Sequence, residues 1–359
     1  MFNAKAALLR SQVFAKEFGL QAPILLAPMA GATPPSLSIA VANGGGMGAC
    51  GVLMMTPDQI ASWVHQMRSG SNGAFQLNTW VPDPKPERDR EREAEICQFL
   101  NKWGPEVPDA AADAPFPDFD SQCDAILKAG PAVVSSIMGL YPAELVAQLK
   151  ARKIKWFATV TTVSEALEAE KAGADVIIAQ GMEAGGHRGA FVASQASNMI
   201  GLFSLLPAVV DAVEVPVIAT GGIGDDRGIA ASLILGASGV QIGTGFLRAP
   251  EASIASAWSD AIGRAAPEDT VVSRVFSGRL GRSLRTEYTN AATSPLAPDP
   301  APYPIQRNLT QAMREEAVAS NDLPKMQAWA GQSGRLAQAI PAKEIVNKLW
   351  NGAQFILKN

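Results

Sequence analysis

Apolar residues in this chain gather in short unbroken runs rather than in strict alternation. Runs at 24–29, 46–51, 75–80, 132–139, 156–161, 175–180, 215–220 and 240–244 are of strand length, and glycine, proline or small polar residues bound them. A strand with no polar face must be covered on both sides, which is the signature of a parallel sheet lying between helices. The intervening stretches supply that cover. Thr56-Pro57 opens one in which Ile60, Trp63, Val64 and Met67 recur at i, i+3, i+4 and i+7, the stripe of an amphipathic helix. Asp225 caps another, rich in alanine and leucine, that ends near Gly236. Strands and helices alternating in this way predict an α/β fold, a (β/α)8 TIM barrel.

The polar positions cluster at strand ends. After the run at 175–180 comes Ala179-Gln-Gly-Met-Glu-Ala-Gly-Gly-His-Arg-Gly189, which holds His187, one of only two histidines in the chain. Glycines there let the backbone come close to a ligand, and an imidazole can donate or accept a proton near neutral pH. The runs at 215–220 and 240–244 also end in glycines, Gly221-Gly222 and Gly243-Thr244. In a barrel of this type the loops after the last two strands often hold a phosphate through backbone N–H groups and a helix N-terminus. Tight turns alone are the plain alternative, and their spacing relative to the His187 loop argues against it. The second histidine, His65, lies beside the apolar stripe of its helix and reads as a solvated residue.

Two segments exceed a minimal barrel. Residues 81–120 carry seven prolines around the charged run Glu87-Arg-Asp-Arg-Glu-Arg-Glu93, followed by Ile96, Leu100 and Trp103 at helical spacing. That insertion reads as a lid or as a solvated excursion, and the charge run as a wet helix face. The other segment follows a helix expected at about 251–265 and includes the proline-rich stretch 294–304, which should be extended and stiff. Helices are expected beyond it at 309–332 and 342–350. We therefore divide the chain into a barrel at 1–265 and a C-terminal helical appendage at 266–359 packed against it.

Composition narrows the function classes. A chain of 359 residues suits a barrel of roughly 250 residues plus additions. With 47% hydrophobic and 18% charged residues and a net charge of −4, it reads as a globular protein with no basic surface for nucleic acid or an anionic membrane. No export signal or membrane span is evident, so a cytoplasmic location is expected. Three cysteines without metal-type spacing, beside two histidines, predict reduced thiols and no metal site. Nothing in the pattern fixes an oligomeric state.

These motifs resemble the nitronate monooxygenases, FMN-dependent enzymes also called 2-nitropropane dioxygenases. Nearly the whole chain takes part: Ala27-Pro-Met29, Gln76-Leu-Asn78, Val133-Val-Ser-Ser-Ile-Met-Gly139, the 179–189 loop, Ala219-Thr-Gly-Gly-Ile223, Gln241-Ile-Gly-Thr244, Ser277-Gly-Arg279 and Trp329-Ala-Gly-Gln332. The resemblance implies FMN. On it, Gly221, Gly222, Gly243 and Thr244 meet the phosphate, while Ala27, Pro28, Met29 and Asn78 meet the ring edge and ribityl hydroxyls. Gln180 and Gln241 hydrogen-bond flavin or phosphate, and Gly185 lets the loop pass the cofactor. His187 is the implied catalytic residue. As a base it would take the α-proton of a neutral nitroalkane; as a donor it would hold an anionic nitronate, and substrate positioning is the role we expect first. Arg188 reads as a surface ion pair, Glu183 as an anchor of the loop, and Tyr288 and Tyr303 as residues at the mouth. The implied reaction is oxidation of an alkyl nitronate, or a nitroalkane, with O2 to a carbonyl compound and nitrite. Two other readings stand beside it: an NAD(P)H-dependent flavin reductase of the enoyl reductase II or quinone reductase type, and a barrel that binds a phosphorylated ligand without turnover.

Overall fold

The structure, a computed structural model, describes residues 3–359. Eleven strands run in chain order as β1 (Ile24–Leu26), β2 (Gly48–Gly51), β3 (Phe75–Trp80), β4 (Val133–Ile137), β5 (Lys155–Val160), β6 (Val176–Gln180), β7 (Gly186–His187), β8 (Val217–Thr220), β9 (Gly239–Ile242), β10 (Thr270–Ser273) and β11 (Gly281–Leu284). Eight of them form one parallel sheet in the order β1-β9-β8-β6-β5-β4-β3-β2. Each expected strand is present, six of the eight shorter than the apolar run that marks it. The sheet closes on itself just before β2: Leu26 N–H donates to the Met47 carbonyl at 2.9 Å and Met47 N–H to the Ile24 carbonyl at 3.0 Å. The predicted barrel is therefore closed, and closure leaves no edge strand to protect.

The bottom of the barrel is plugged by an N-terminal helix, Ala4–Glu17, which the apolar pattern did not single out. Phe14 and Phe18 stack about Phe157, with ring centroids 5.0–6.3 Å apart, above a floor of Leu25, Met47, Val133, Val176 and Ile218. Its pattern is weak because one face carries Leu9 and Val13 into solvent. The ring of outer helices is completed at the opposite end of the chain. Ala342–Lys358 buries Ile345, Val346, Leu349, Trp350, Ala353 and Leu357 against helices Asp226–Ile234 and Pro35–Asn43. That place between the helices after β8 and β1 was expected for 251–265; the helix there, Ser256–Arg264, packs instead near residues 334–336.

Residues 244–341 thus leave the barrel after its eighth strand and return to finish the ring. They build a small antiparallel sheet of β10, β11 and β7, in which Gly281 faces His187 and Arg282 faces Gly186. The loop after β6 is in this way made part of a second sheet. A second core joins the excursion to the 81–120 insertion: Ile96 and Leu100 pack with Phe276, Tyr288, Ile305 and Leu309. The insertion is therefore not a solvated excursion, and Glu93 of its charge run is only 6% exposed, paired with Arg88 at 2.6 Å. The long helix expected over 309–332 is instead two short ones, Ile305–Leu309 and Gln311–Ala319. Asn321, with φ of 57°, ends the second, and the chain beyond it runs irregularly to a bridge between Trp329 and Ser283.

Candidate active site

A cavity of about 890 Å³ opens at the carboxyl ends of the barrel strands, within the ~300–1,000 Å³ range usual for small-molecule and cofactor sites. All twelve residues expected to bind the cofactor or act in catalysis line it: Ala27, Pro28 and Met29 after β1, Asn78 in β3, Gln180 at the end of β6, Gly185 and His187 in the following loop, Gly221 and Gly222 after β8, and Gln241, Gly243 and Thr244 at the end of β9. Strand polarity explains the assembly, since every parallel strand of a barrel ends on the same rim.

Gly221 and Gly222 have φ of 102° and 73°, the left-handed region that a side chain rarely adopts. A Cβ on Gly221 would lie 3.0 Å from the Gly181 carbonyl and one on Gly222 3.1 Å from Glu183 Cβ. The turn is therefore bare backbone where it borders the cavity, a cradle of the kind that accepts a phosphate. Gly185 is also crowded by backbone. A Cβ there would sit 2.4 Å from Gly331 N, so its smallness admits the Ala330–Gly331 backbone. Thr244 takes part in the same crossing, its hydroxyl accepting from Gly331 N–H at 3.0 Å.

The amides divide between folding the loop and facing the cavity. Gln180 donates to the His187 carbonyl at 3.0 Å and accepts from Gly189 N–H at 2.8 Å, so it bends the 181–189 loop back over β6. Asn78 donates to the Ser135 carbonyl and hydroxyl, both at 3.1 Å, which leaves its own carbonyl oxygen for the cavity. Gln76 spends its amide N–H groups on the Leu26 carbonyl and Gln241 Oε1, and its Oε1 is buried without a partner.

His187 sits between two indoles, with Trp80 at 4.7 Å and Trp329 at 4.8 Å between ring centroids. Its Nε2 is 2.7 Å from Ser277 Oγ. The residue keeps some exposure because the cavity borders it, yet protein surrounds the ring. That burial, helped by Arg279, Arg307 and Arg314, pushes its pKa down to about 3. The imidazole is consequently neutral at ordinary pH. Positive charge in the cavity comes from Arg307 and Arg314, and no carboxylate lines the wall among the described residues. Arg314 is held by Thr310 Oγ1 at 3.1 Å and the Arg307 carbonyl at 2.9 Å. Burial lowers its pKa to about 10, so it stays charged. The Arg307 guanidinium lies over Phe116 at 5.3 Å and takes no hydrogen-bond acceptor among the described residues.

Other residues named from sequence fall elsewhere. Arg188 is buried, not a surface ion pair: it donates to the carbonyls of Gln180, Thr161 and Asn198, tying three loops together. Glu183 accepts Leu202 N–H at 3.0 Å at the start of helix Leu202–Val210. Tyr288 is in the second core, bonded to the Val275 carbonyl, whereas Tyr303 stacks on Trp80. His65 is exposed. Cys50 and Cys123 are buried and burial pushes both thiols up to about 12, which makes them poor nucleophiles. Sequence reasoning gave no role to Trp80, Ser277, Arg307, Arg314 or Trp329. Two of them stand in motifs it quoted, Ser277-Gly-Arg and Trp329-Ala-Gly-Gln; the arginines had no signal beyond their charge.

A model of the nitronate monooxygenase family matches residues 12–352. A probable nitronate monooxygenase of Staphylococcus saprophyticus is 36% identical over 341 residues, 93% of this chain and 95% of that one. A nitronate monooxygenase of Paraburkholderia phytofirmans is 36% identical over 337 residues, covering 92% of each. Among solved structures, a nitroalkane oxidase from Streptomyces ansochromogenes superposes with a TM-score of 0.87 at 32% identity, over 96% of this chain and 99% of that one. Among the described residues no helix is long and apolar enough to cross a membrane.

Proposed function

This chain belongs to the nitronate monooxygenase family, and from that premise we propose that it is an FMN-dependent enzyme oxidising alkyl nitronates, and nitroalkanes through them, to carbonyl compounds and nitrite with O2. The observation that carries the reading is electrostatic: among the described residues the cavity wall holds two arginines, a neutral imidazole and four indoles but no carboxylate. Such a wall suits an anion with an apolar tail. A phosphate at one end and a nitronate at the other satisfy it.

The bare turn at Gly221-Gly222, with Gly243 and Thr244 beside it, would hold the FMN phosphate. Ala27, Pro28, Met29 and Asn78 would border the ring and ribityl chain, and Gln241 would lie beneath them. Gln180 and Gly185 serve the site by shaping the loop that carries His187. Bound FMN supplies the electron acceptor for the nitronate and the route to O2. Arg307 and Arg314 orient the nitronate oxygens and balance their charge, while Trp80 and Trp329 exclude water from its carbon. A nitronate arrives without its α-proton and needs no base; a neutral nitroalkane does need one, and His187 is the proton acceptor at hand. The neutral imidazole shifts the charge-holding role first expected of His187 to the two arginines.

The test is nitrite release under air. The purified protein should be yellow, carry about one FMN per chain, and form nitrite from ethyl nitronate. Rapid bleaching of the flavin by NADH or NADPH under anaerobic conditions, with no nitrite formed in air, would overturn the reading in favour of a reductase. A colourless protein that takes up no added FMN would leave only a ligand-binding barrel.

A further inference from the structure

The motif Ser277-Gly278-Arg279 has no part in the function as argued so far, yet it touches the histidine directly. Ser277 lies in the turn between β10 and β11, is 1% exposed, and lines the cavity. We propose that Ser277 is a positioning residue that fixes the tautomer of His187, locking the proton on Nε2 and turning the lone pair of Nδ1 toward the substrate. The inference rests on His187 acting as the proton acceptor for neutral nitroalkanes.

The hydroxyl of Ser277 has three neighbours in hydrogen-bond reach. It donates to the Arg279 carbonyl at 3.2 Å, accepts from Arg279 N–H at 3.3 Å, and stands 2.7 Å from His187 Nε2. A hydroxyl has one proton and two lone pairs. With the proton on the Arg279 carbonyl, both lone pairs accept, one from Arg279 N–H and the other from His187 Nε2–H, and every contact is satisfied. With the hydroxyl proton donated to an unprotonated Nε2 instead, the hydroxyl and the Arg279 carbonyl are left as two lone-pair oxygens facing one another. The satisfied arrangement is the one with Nε2–H. Nδ1 has no hydrogen-bond partner among the described residues, and it is not one of the buried nitrogen and oxygen atoms left without one, so it opens on the cavity.

The consequence is a defined proton transfer. Nδ1 takes the α-proton of a nitroalkane as the C–H electron pair moves into the C=N bond and the charge passes to the nitro oxygens, giving a nitronate and an imidazolium. Burial and then Arg279, Arg307 and Arg314 disfavour the imidazolium, but Arg307 and Arg314 favour the nitronate formed beside it, so their field opposes one half of the transfer and assists the other. A histidine presenting N–H to the substrate could not accept the proton at all. Ser277 belongs to the excursion rather than the barrel, and its neighbour Arg279 is tied to the insertion through Asp83 at 2.9 Å. Both added segments thus converge on the nitrogen opposite the reacting one.

Only two histidines in the chain make the tautomer directly observable. Holoenzyme labelled with 15N in the imidazole is recorded at pH 7.5, with His65→Gln assigning the second ring. The expected spectrum has a protonated Nε2 and an unprotonated Nδ1 at His187, and Ser277→Ala should shift it toward a mixture. In the same variant kcat/KM for nitroethane should fall on the order of 10- to 100-fold, with ethyl nitronate changed less than about threefold and FMN content unchanged. A protonated Nδ1 in the wild type, an unchanged spectrum in Ser277→Ala, or equal losses on both substrates would each overturn the proposal. The spectrum needs no turnover, so it stands even if the nitronate reading fails.

Discussion

The two walls of the cavity are made of different material. The barrel side is backbone, amide and apolar: glycine turns after β8 and β9, Pro28 after β1, the side chains of Asn78 and Gln241, and the Trp80 indole of β3. The excursion side, residues 244–341, brings Ser277, Arg307, Arg314, Gln327 and Trp329. Every formal charge on the wall comes from the excursion. Backbone N–H groups fixed by a closed barrel suit a ligand that stays, because they lose no side-chain entropy on binding. Long charged side chains and indoles suit a small anion that comes and goes. His187 lies at the seam, in a barrel loop but hydrogen-bonded as β7 to β11. On the proposed function, the comparison implies a division of labour, with the barrel to hold FMN and the excursion to handle the substrate.

The sharpest way to break that division is at the seam. His187→Asn should lower kcat/KM for nitroethane on the order of 10²- to 10⁴-fold, the usual worth of a general base, while ethyl nitronate loses far less and FMN stays bound. Equal losses on both substrates would refute the base role. On the barrel side, Gly222→Val places a branched side chain at φ of 73° and 3.1 Å from Glu183 Cβ. Strain of about 1–3 kcal/mol plus loss of the cradle should leave less than a tenth of the flavin bound, read from absorbance after gel filtration. A variant that keeps stoichiometric FMN would move the phosphate elsewhere.

Legibility in the sequence follows the same line as the two walls. The barrel could be read because strands buried on both faces must be apolar throughout, and because glycine at a strand end leaves a mark that periodicity alone exposes. Its candidate residues from Ala27 to Thr244 therefore meet at one rim. The excursion could be read as an appendage packed on the barrel, but not for which of its side chains make the wall. Ser277 is one small polar residue among many, and its weight comes from a contact across 90 residues of chain. Arg307 and Arg314 look like ordinary surface charges until Phe116 and Thr310 place them inside. The same blindness reversed Arg188, which follows His187 in a glycine-rich loop and whose real partners are carbonyls from three loops. Arg307→Met sharpens the substrate side: kcat/KM for ethyl nitronate should fall roughly 10- to 100-fold, the worth of one charge-assisted hydrogen bond of about 1.5–3 kcal/mol, with FMN content unchanged. Loss of FMN in that variant would erase the division between the walls.

The smallest effect expected is on stability, and its sign follows from the seam. In the folded protein His187 titrates near 3, pushed down first by burial and then by Arg279, Arg307 and Arg314, whereas an unfolded chain offers an imidazole near 6.5. Above pH 6.5 neither state binds a proton there, so the group contributes nothing to the pH dependence. Between 6.5 and 3 the unfolded chain binds a proton that the folded one refuses, and stability falls with acidity by at most about 1.4 kcal/mol per pH unit. Carboxylates also titrate in that window, but they do so in wild type and in His187→Asn alike. The difference between the two unfolding curves isolates the histidine: the variant should gain on the wild type steadily from pH 6.5 down to 4.5 in urea denaturation. Parallel curves would mean that the imidazole takes up its proton inside the fold, and the seam would then offer the substrate a third cation in place of a base.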